Sequence, residues 1–213
     1  MTIAQALLSF AVVAGLLTLV PGIDTSLVLR GALTRGRGFA FATSFGIFVG
    51  ALVWGVAAAV GASALLAASE LAYTLLTIVG AAYMVWLGAS LIFKSFKGVS
   101  EGVSPSSAET PSGGSLWRAW ATGFGSNLLN PKVGVFYLAT IPQFIPSGVS
   151  PVGMGLLLAA VHGILSLAWF TVIILATGLV ARWLRQPRAV RLIDRVTGTV
   201  LIGFGVKLAV LPR

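Results

Sequence analysis

Leu19-Val20-Pro21-Gly22-Ile23-Asp24-Thr25 is the stretch that decides the fold, because it lies in the middle of a first apolar segment at about 3–34. A straight helix of that length, at about 1.5 Å per residue, would be longer than the roughly 30 Å hydrocarbon core of a bilayer. Proline removes a backbone donor and clashes with the preceding turn. We therefore predict that this segment splits at Pro21 into two half-helices, with Asp24 buried beside the break.

A second interruption of the same kind, Asn127-Leu128-Leu129-Asn130-Pro131-Lys132, lies in the middle of another apolar segment at about 116–145. Backbone groups freed inside a bilayer are tolerated only where they are buried in protein or line a polar cavity. Broken segments at corresponding positions of two inverted halves indicate a transporter's binding site. The predicted substrate site consists of residues from the two breaks: Pro21, Gly22, Asp24, Asn127, Asn130, Pro131 and Lys132.

The composition of the whole chain is that of a membrane protein. Of its 213 residues, 57% are hydrophobic and only 9% are charged, and the mean hydropathy is +1.00. A soluble domain carries roughly 25% charged residues, because its surface must interact with water. The sequence therefore predicts an all-α integral membrane protein.

Six apolar segments are predicted to be transmembrane helices, at about 3–34, 38–69, 71–94, 116–145, 151–181 and 192–212. The first has neither the basic start nor the cleavage site of a signal peptide and is expected to be retained. A flexible Ser-, Pro- and Gly-rich linker at 98–115 separates two halves, 1–97 and 116–213, of a single transporter domain. Since each half has an odd number of spans, we predict two inverted three-helix repeats in which helices 1 and 4 are broken.

The excess of basic residues is predicted to reflect the orientation of the chain in the membrane. There are 14 Lys and Arg against 5 Asp and Glu, a formal net charge of +9. Ten of the basic residues fall in loops on one side: Arg35, Arg37, Lys94, Lys97, Arg118, Arg182, Arg185, Arg188, Arg191 and Arg195. Basic loops face the cytoplasm. Both termini are therefore predicted to be extracytoplasmic, and no nucleic-acid partner is expected.

Asp24 and Lys132 are the ionisable residues in the breaks, and a charge inside a membrane is costly enough to need a reason. We expect them to lie near each other. Asp24 would take up a proton or hold a substrate ammonium group, and Lys132 would meet a carboxylate together with the positive ends of the half-helices. A structural ion pair is the alternative interpretation. His162, the only histidine, is either a proton relay or a packing residue.

Two further patterns leave their interpretation open. Gly46, Gly50 and Gly55 form a series of small residues that permits close helix contact, within the monomer or in a dimer. Tryptophans such as Trp54 and Trp86 are typical of anchors at the membrane interface.

An enzyme is not expected. The chain has no Cys and one His, which excludes most metal sites, and it lacks a His-Glu-x-x-His motif. Gly123-Phe124-Gly125-Ser126 is suggestive of a serine nucleophile, but only His162 could act as its base and nothing orients it. We predict no catalytic residue, no metal and no cofactor.

In combination and order, the motifs resemble those of the LysE/RhtB family of amino-acid exporters over almost the whole chain. Residues 19–25 resemble the family's Pro-Gly-Pro-(Asn/Asp) signature, with Ile23 where a second proline is usual. Residues 127–132 resemble its fourth-span signature, and Pro142-Gln143-Phe144 the exit of that span. Arg35-Gly36-Arg37-Gly38 resembles its basic loop, and residues 80–88 its third-span pattern. The signature with Asp24 resembles the threonine/homoserine branch more closely than the basic-amino-acid branch.

The resemblance implies a homodimeric secondary transporter of the bacterial inner membrane that exports amino acids or close derivatives by proton antiport. Its partners would be the amino acid, protons and the lipid bilayer. In the alternating-access mechanism that we expect, the substrate carboxylate faces Lys132 and its ammonium lies near Asp24, Asn127 or Asn130. A proton entering at Asp24 then resets the carrier. A passive channel, an exporter of another small metabolite and a membrane-embedded enzyme are the alternatives.

Overall fold

The structure is a computed structural model that describes residues 1–97, 115–179 and 186–210, and the regular structure of these residues is helical. The helices are α1 (Ile3–Leu19), α2 (Ile23–Thr34), α3 (Arg37–Ala68), α4 (Glu70–Lys97), α5 (Leu116–Leu128), α6 (Pro131–Thr140), α7 (Pro151–Leu175) and α8 (Pro187–Val210). A 3₁₀ turn, Ile141–Phe144, follows α6. The predicted linker lies outside the described residues except for Ser115, and so do Arg182 and Arg185.

Both predicted breaks are present. The first separates α1 from α2 at 20–22 and bends the pair by 56°, and the second separates α5 from α6 at 129–130. Each broken pair is followed by two long helices, of 32 and 28 residues after α2 and of 25 and 24 residues after α6. The chain therefore repeats one order of elements in its two halves.

Helix length and composition identify three to four candidate membrane spans among the described residues. Among the described residues, α3, α4 and α7 are each long and apolar enough to cross a bilayer, and the bent pair of α1 and α2 raises the number to four. At 13 and 10 residues, α5 and α6 are each too short to cross alone, since 13 residues rise only about 20 Å. Leu8, Leu71 and Phe96 are each 70% exposed, which is the pattern of an outer surface in contact with lipid.

The last helix begins earlier than the sequence indicated. We predicted a sixth span from about 192, with Arg188 and Arg191 in the preceding loop, and this boundary was wrong because α8 begins at Pro187. Proline is favoured at a first helical position, where its missing N–H costs nothing. The arginines are accommodated along the helix, since Arg195 lies over the ring of Phe96 with 4.5 Å between the guanidinium carbon and the ring centroid.

Small residues let α3 pack closely against both α5 and α7. A Cβ at Gly46 would overlap the backbone carbonyl of Trp120 in α5, and one at Gly55 would overlap Gly155 in α7. The glycine series of the second span therefore serves packing within the monomer. The turn before α3 also needs a glycine, because Gly36 has a φ of 91°, in the left-handed region that other residues avoid.

Candidate functional site

Lys132, which follows the second break, caps the end of α1 at the first break. Its Nζ donates hydrogen bonds to the backbone carbonyls of Leu17, at 3.3 Å, and Val20, at 3.2 Å. These carbonyls lie at the end of α1, where the helix leaves acceptors without an internal partner. A cation is favourable there because the carbonyls give the end of a helix a partial negative charge. Lys132 therefore satisfies the backbone that Pro21 interrupts.

Asp24, beside the first break, is in turn held by residues that precede the second. Its Oδ2 accepts a hydrogen bond from Asn127 Nδ2 at 2.9 Å, and its Oδ1 accepts one from Ser126 Oγ at 3.4 Å. Asp24 lies in the first turn of α2, where the positive end of the helix favours a carboxylate. Lys132 is also close enough to Asp24 to attract it electrostatically. Side chains near the second break therefore hydrogen-bond to the polar groups of the first, and the two breaks stabilise each other.

The second break is ordered by local capping. Asn130 is the N-cap of α6, and its Oδ1 accepts a hydrogen bond from the backbone N–H of Lys132 at 3.1 Å. Pro131 occupies the first position of the helix, where a missing N–H is harmless. These contacts begin a new helix after the two residues, 129 and 130, that separate it from α5.

Trp54 supports this break from α3. Its Nε1 donates a hydrogen bond to the backbone carbonyl of Asn127 at 3.3 Å, and its ring lies so close to Gly134 that a Cβ there would overlap it. The prediction that Trp54 anchors the protein at the membrane interface was therefore wrong. Its indole donor satisfies a carbonyl at the end of a helix inside the protein.

Replacing Trp54 with phenylalanine is expected to lower the free energy of unfolding by about 1 kcal/mol, because it removes this hydrogen bond and leaves the carbonyl of Asn127 with one partner fewer. Thermal unfolding in detergent measures the change. Trp117→Phe, at an exposed position in α5, is the matched control and should leave the melting temperature nearly unchanged. Equal losses in the two variants would contradict the role given to Trp54.

Two cavities meet at the breaks. The small cavity has a volume of about 50 Å³ and lies between α2, α3, α5 and α7, with Asp24, Asn127, His162 and Ser166 in its lining. The large cavity has a volume of about 460 Å³ and lies between the breaks, α4 and α8. Residues that border both include Gly22, Asn130 and Lys132.

The small cavity has several polar side chains in a mostly apolar lining, and it has room for no more than a few water molecules, each of which takes about 30 Å³ in the liquid. Next to it, His162 Nδ1 and the hydroxyl of Tyr137 form a buried hydrogen bond of 2.8 Å. Thr18 and Ser166 hydroxyls lie 3.3 Å apart across α1 and α7. These hydroxyl and imidazole groups can form hydrogen bonds with one another or with water, but the space is too small for an amino acid.

The large cavity falls within the range of about 300–1,000 Å³ that is usual for small-molecule sites. Apolar side chains form most of its wall. The charged side chains in its lining are Lys94, Lys132 and Asp194, which come from α4, α6 and α8. An apolar wall with both signs of charge suits a small amphipathic zwitterion.

The structure brings all seven residues of the predicted substrate site together, but it distributes them between the cavities. Pro21 and Pro131 line the large cavity, Asp24 and Asn127 line the small one, and the remaining three border both. His162 lies by the small cavity. Within the described ranges, no group of three or more His, Asp or Glu side chains could hold a metal ion.

Sequence reasoning missed Asp194, which is only 5% exposed. The signal was available, because the chain has only five acidic residues and this one falls in the last apolar segment. It was overlooked because it lies directly before Arg195, in a stretch interpreted as a basic loop. Tyr83 and Trp86, the aromatic residues of the large cavity, were likewise not assigned to a site.

Comparison with known proteins covers nearly the whole chain. The family model described as LysE type translocator matches residues 15–211. The uncharacterized membrane protein YrhP of Bacillus subtilis is 28% identical over 205 residues, 95% of this chain and 98% of that protein. A leucine efflux protein of Klebsiella pneumoniae is 28% identical over 96% of this chain and 94% of its own length. A leucine efflux protein of Enterobacter is 26% identical over 94% of this chain and 93% of its own length. No solved structure matches the chain.

Proposed function

The chain belongs to the family of LysE type translocators, and from that premise we propose that it exports apolar amino acids, leucine first among them, from the cytoplasm. Family membership makes it a multi-pass membrane translocator and not an enzyme. The observation that carries the substrate proposal is the large cavity, whose size and mixture of apolar and charged lining fit an amino acid. Leucine is the first candidate because similar proteins carry the name leucine efflux protein. This proposed substrate class differs from threonine and homoserine, the substrates that the resemblance of residues 19–25 suggested.

The proposed architecture has six spans in two inverted halves. The tight turn at Gly36 makes α3 run opposite to α2. Close approaches of Gly38 to Leu116 and of Gly50 to Asn127 indicate that α5 runs in the same direction as α3. The broken pairs that begin the two halves then point in opposite directions, as inverted repeats require.

The proposed orientation places the basic helix ends in the cytoplasm of a bacterial cell and both termini outside the inner membrane. Arg35 and Arg37 lie at the turn between α2 and α3, and Leu116 at the start of α5 lies beside the start of α3. We also propose that the protein is a homodimer, and this proposal is supported by the family resemblance alone.

Alternating access would use the large cavity as the cytoplasmic entrance. Its lining extends from Pro21 and Pro131 at the breaks to Lys94 and Val190, near the basic ends of α4 and α8. An amino acid entering there would meet Lys132 and the positive N-terminal ends of α2 and α6 with its carboxylate. Movement of the half-helices at the breaks would then open the site to the other side.

Asp24 would carry the coupling proton. Its carboxylate lines the small cavity, which cannot hold an amino acid, so the geometry supports proton uptake at Asp24 rather than contact with the substrate ammonium. The hydrogen bond between His162 and Tyr137 lies beside the same cavity and offers a path for the proton. Lys132 borders both cavities. It would therefore couple proton uptake in the small cavity to substrate binding in the large cavity.

Counterflow into proteoliposomes tests the proposed function. Vesicles containing the full chain and loaded with unlabelled leucine should take up labelled leucine transiently above equilibrium, with a rate that saturates as external leucine rises. Alanine, threonine and lysine complete the panel, and vesicles without protein are the control. Uptake that rises linearly with concentration would indicate a passive channel, and the absence of exchange with every amino acid would overturn the proposal.

A further inference from the structure

We propose that Asp194 binds the ammonium group of the transported amino acid in the large cavity, while the apolar wall formed by Tyr83, Trp86, Leu87, Leu91, Val135 and Val190 holds an aliphatic side chain. The inference rests on the proposed function, since it names the recognition residues of that site. It changes the expected geometry, because sequence reasoning placed the ammonium near Asp24, Asn127 or Asn130.

Asp194 is the acid in a position to do this. Asp24 faces the small cavity, and Glu70 is exposed in the first turn of α4, far along the helix from Lys94. Glu101 and Glu109 lie outside the described residues. Within the described part of the chain, Asp194 is therefore the acidic residue that lines the large cavity.

The burial of Asp194 is consistent with a binding role. A carboxylate that is 5% exposed in a membrane protein is costly unless cationic groups compensate it. Lys94 and Lys132 line the same cavity and can compensate it. A zwitterion adds one positive and one negative group, so it can exchange partners with these residues without changing the net charge of the site. An organic acid would be repelled by Asp194, and a simple amine would be repelled by the two lysines.

The wall of the cavity favours an aliphatic side chain over a hydroxylated one. Ser90, which α4 contributes to this lining together with Tyr83, donates its hydroxyl hydrogen to the carbonyl of Leu87 at 2.8 Å. Asn130 uses its Oδ1 to cap α6. The other groups that a substrate side chain would contact in this part of the large cavity are Tyr83, Trp86 and aliphatic side chains. Burying a leucine side chain against them is favourable, whereas the hydroxyl of threonine would lose its hydrogen bonds to water.

Binding of leucine and 4-methylpentanoate to the purified full-length protein tests the role of Asp194. The two ligands share a side chain and a carboxylate, and only leucine has an ammonium group. We expect wild type to bind leucine at least about ten-fold more tightly, because a hydrogen-bonded charge pair contributes this much to affinity. Asp194→Asn should lose this preference, because leucine loses the partner of its ammonium group and 4-methylpentanoate is no longer repelled. Glu70→Gln is the matched control and should keep it.

An unchanged preference in Asp194→Asn would overturn the inference, and so would equal binding of the two ligands by wild type. The wild-type comparison keeps the test decisive if Asp194→Asn does not fold. Val135→Trp tests the wall separately and should weaken leucine binding more than alanine binding, and equal losses would contradict the wall. If wild type binds and exchanges no amino acid, the proposed function itself fails. If it exchanges leucine but Asp194→Asn behaves like wild type, only the inference fails.

Discussion

Replacing Lys132 with methionine is expected to reduce leucine counterflow by about 100-fold or more, because two hydrogen bonds from a charged donor are lost together. In the folded protein, Nζ holds the carbonyls of Leu17 and Val20 at the end of α1. Methionine is of similar length but has no donor, so these carbonyls would remain inside the protein without this partner. The variant would also lose the positive charge at the border of the two cavities. The initial rate of counterflow per mole of reconstituted protein measures the effect.

Lys207→Met is the matched control for this substitution. Lys207 lies exposed in the last turn of α8, so its replacement removes the same charge at a distance from the breaks. Its counterflow rate should stay within about two-fold of wild type, as is usual for a substitution at an exposed position away from the site. A Lys132→Met variant that folds and transports at the rate of Lys207→Met would show that Lys132 is not required at the site.

Replacing Asp24 with asparagine is expected to abolish proton-driven accumulation while leaving leucine exchange at equal pH in place. Asparagine keeps the shape of the side chain, and its Oδ1 can still accept the hydrogen bond from Asn127. It cannot take up a proton, so an imposed pH gradient no longer drives transport. Labelled leucine in proteoliposomes should therefore accumulate above equilibrium for wild type and only reach equilibrium for the variant.

Glu70→Gln is again the matched control, since it removes an acid that lines neither cavity, and it should accumulate leucine as wild type does. If Asp24→Asn accumulates leucine with a normal dependence on pH, another group carries the proton. His162 would then be the next candidate, because it borders the same cavity.

The breaks could be predicted from the sequence because their causes are local. Pro21 and Pro131 each remove a backbone donor from an apolar segment, and Asn130 caps the helix that follows. Asp24 stood out for a similar reason, as an acid in an otherwise uncharged stretch. These effects act within one turn of a helix, so the order of residues is enough to reveal them.

The pairing between the breaks could not be predicted, because it depends on how distant helices pack. Lys132 reaches carbonyls more than a hundred positions earlier in the chain, and Trp54 reaches one 73 positions later. A charged or aromatic residue in an apolar segment does not show which backbone group it will meet. Sequence reasoning expected Lys132 to face Asp24 and the substrate, and it did not foresee the cap on α1.

Asp194 was missed because its surroundings in sequence differ from those in space. Along the chain it precedes Arg195 and follows several other arginines, which favours a solvated loop. In the structure, α8 packs against α4 and turns Asp194 inward, while Arg195 remains exposed and lies over Phe96. Consecutive residues of an α-helix point in directions about 100° apart, so they can have different environments, and the division into two cavities follows only from that packing.

Proton release on leucine binding is the most direct test of a carrier that exchanges protons for leucine. Leucine is added to the purified protein in a weakly buffered solution, and the change in pH is followed as the site fills. If leucine and the proton on Asp24 oppose each other's binding, reciprocity requires wild type to release protons in proportion to occupancy. Asp24→Asn should bind leucine without that release. Leucine binding with no proton release by wild type, or with equal release by Asp24→Asn, would contradict proton exchange at these breaks.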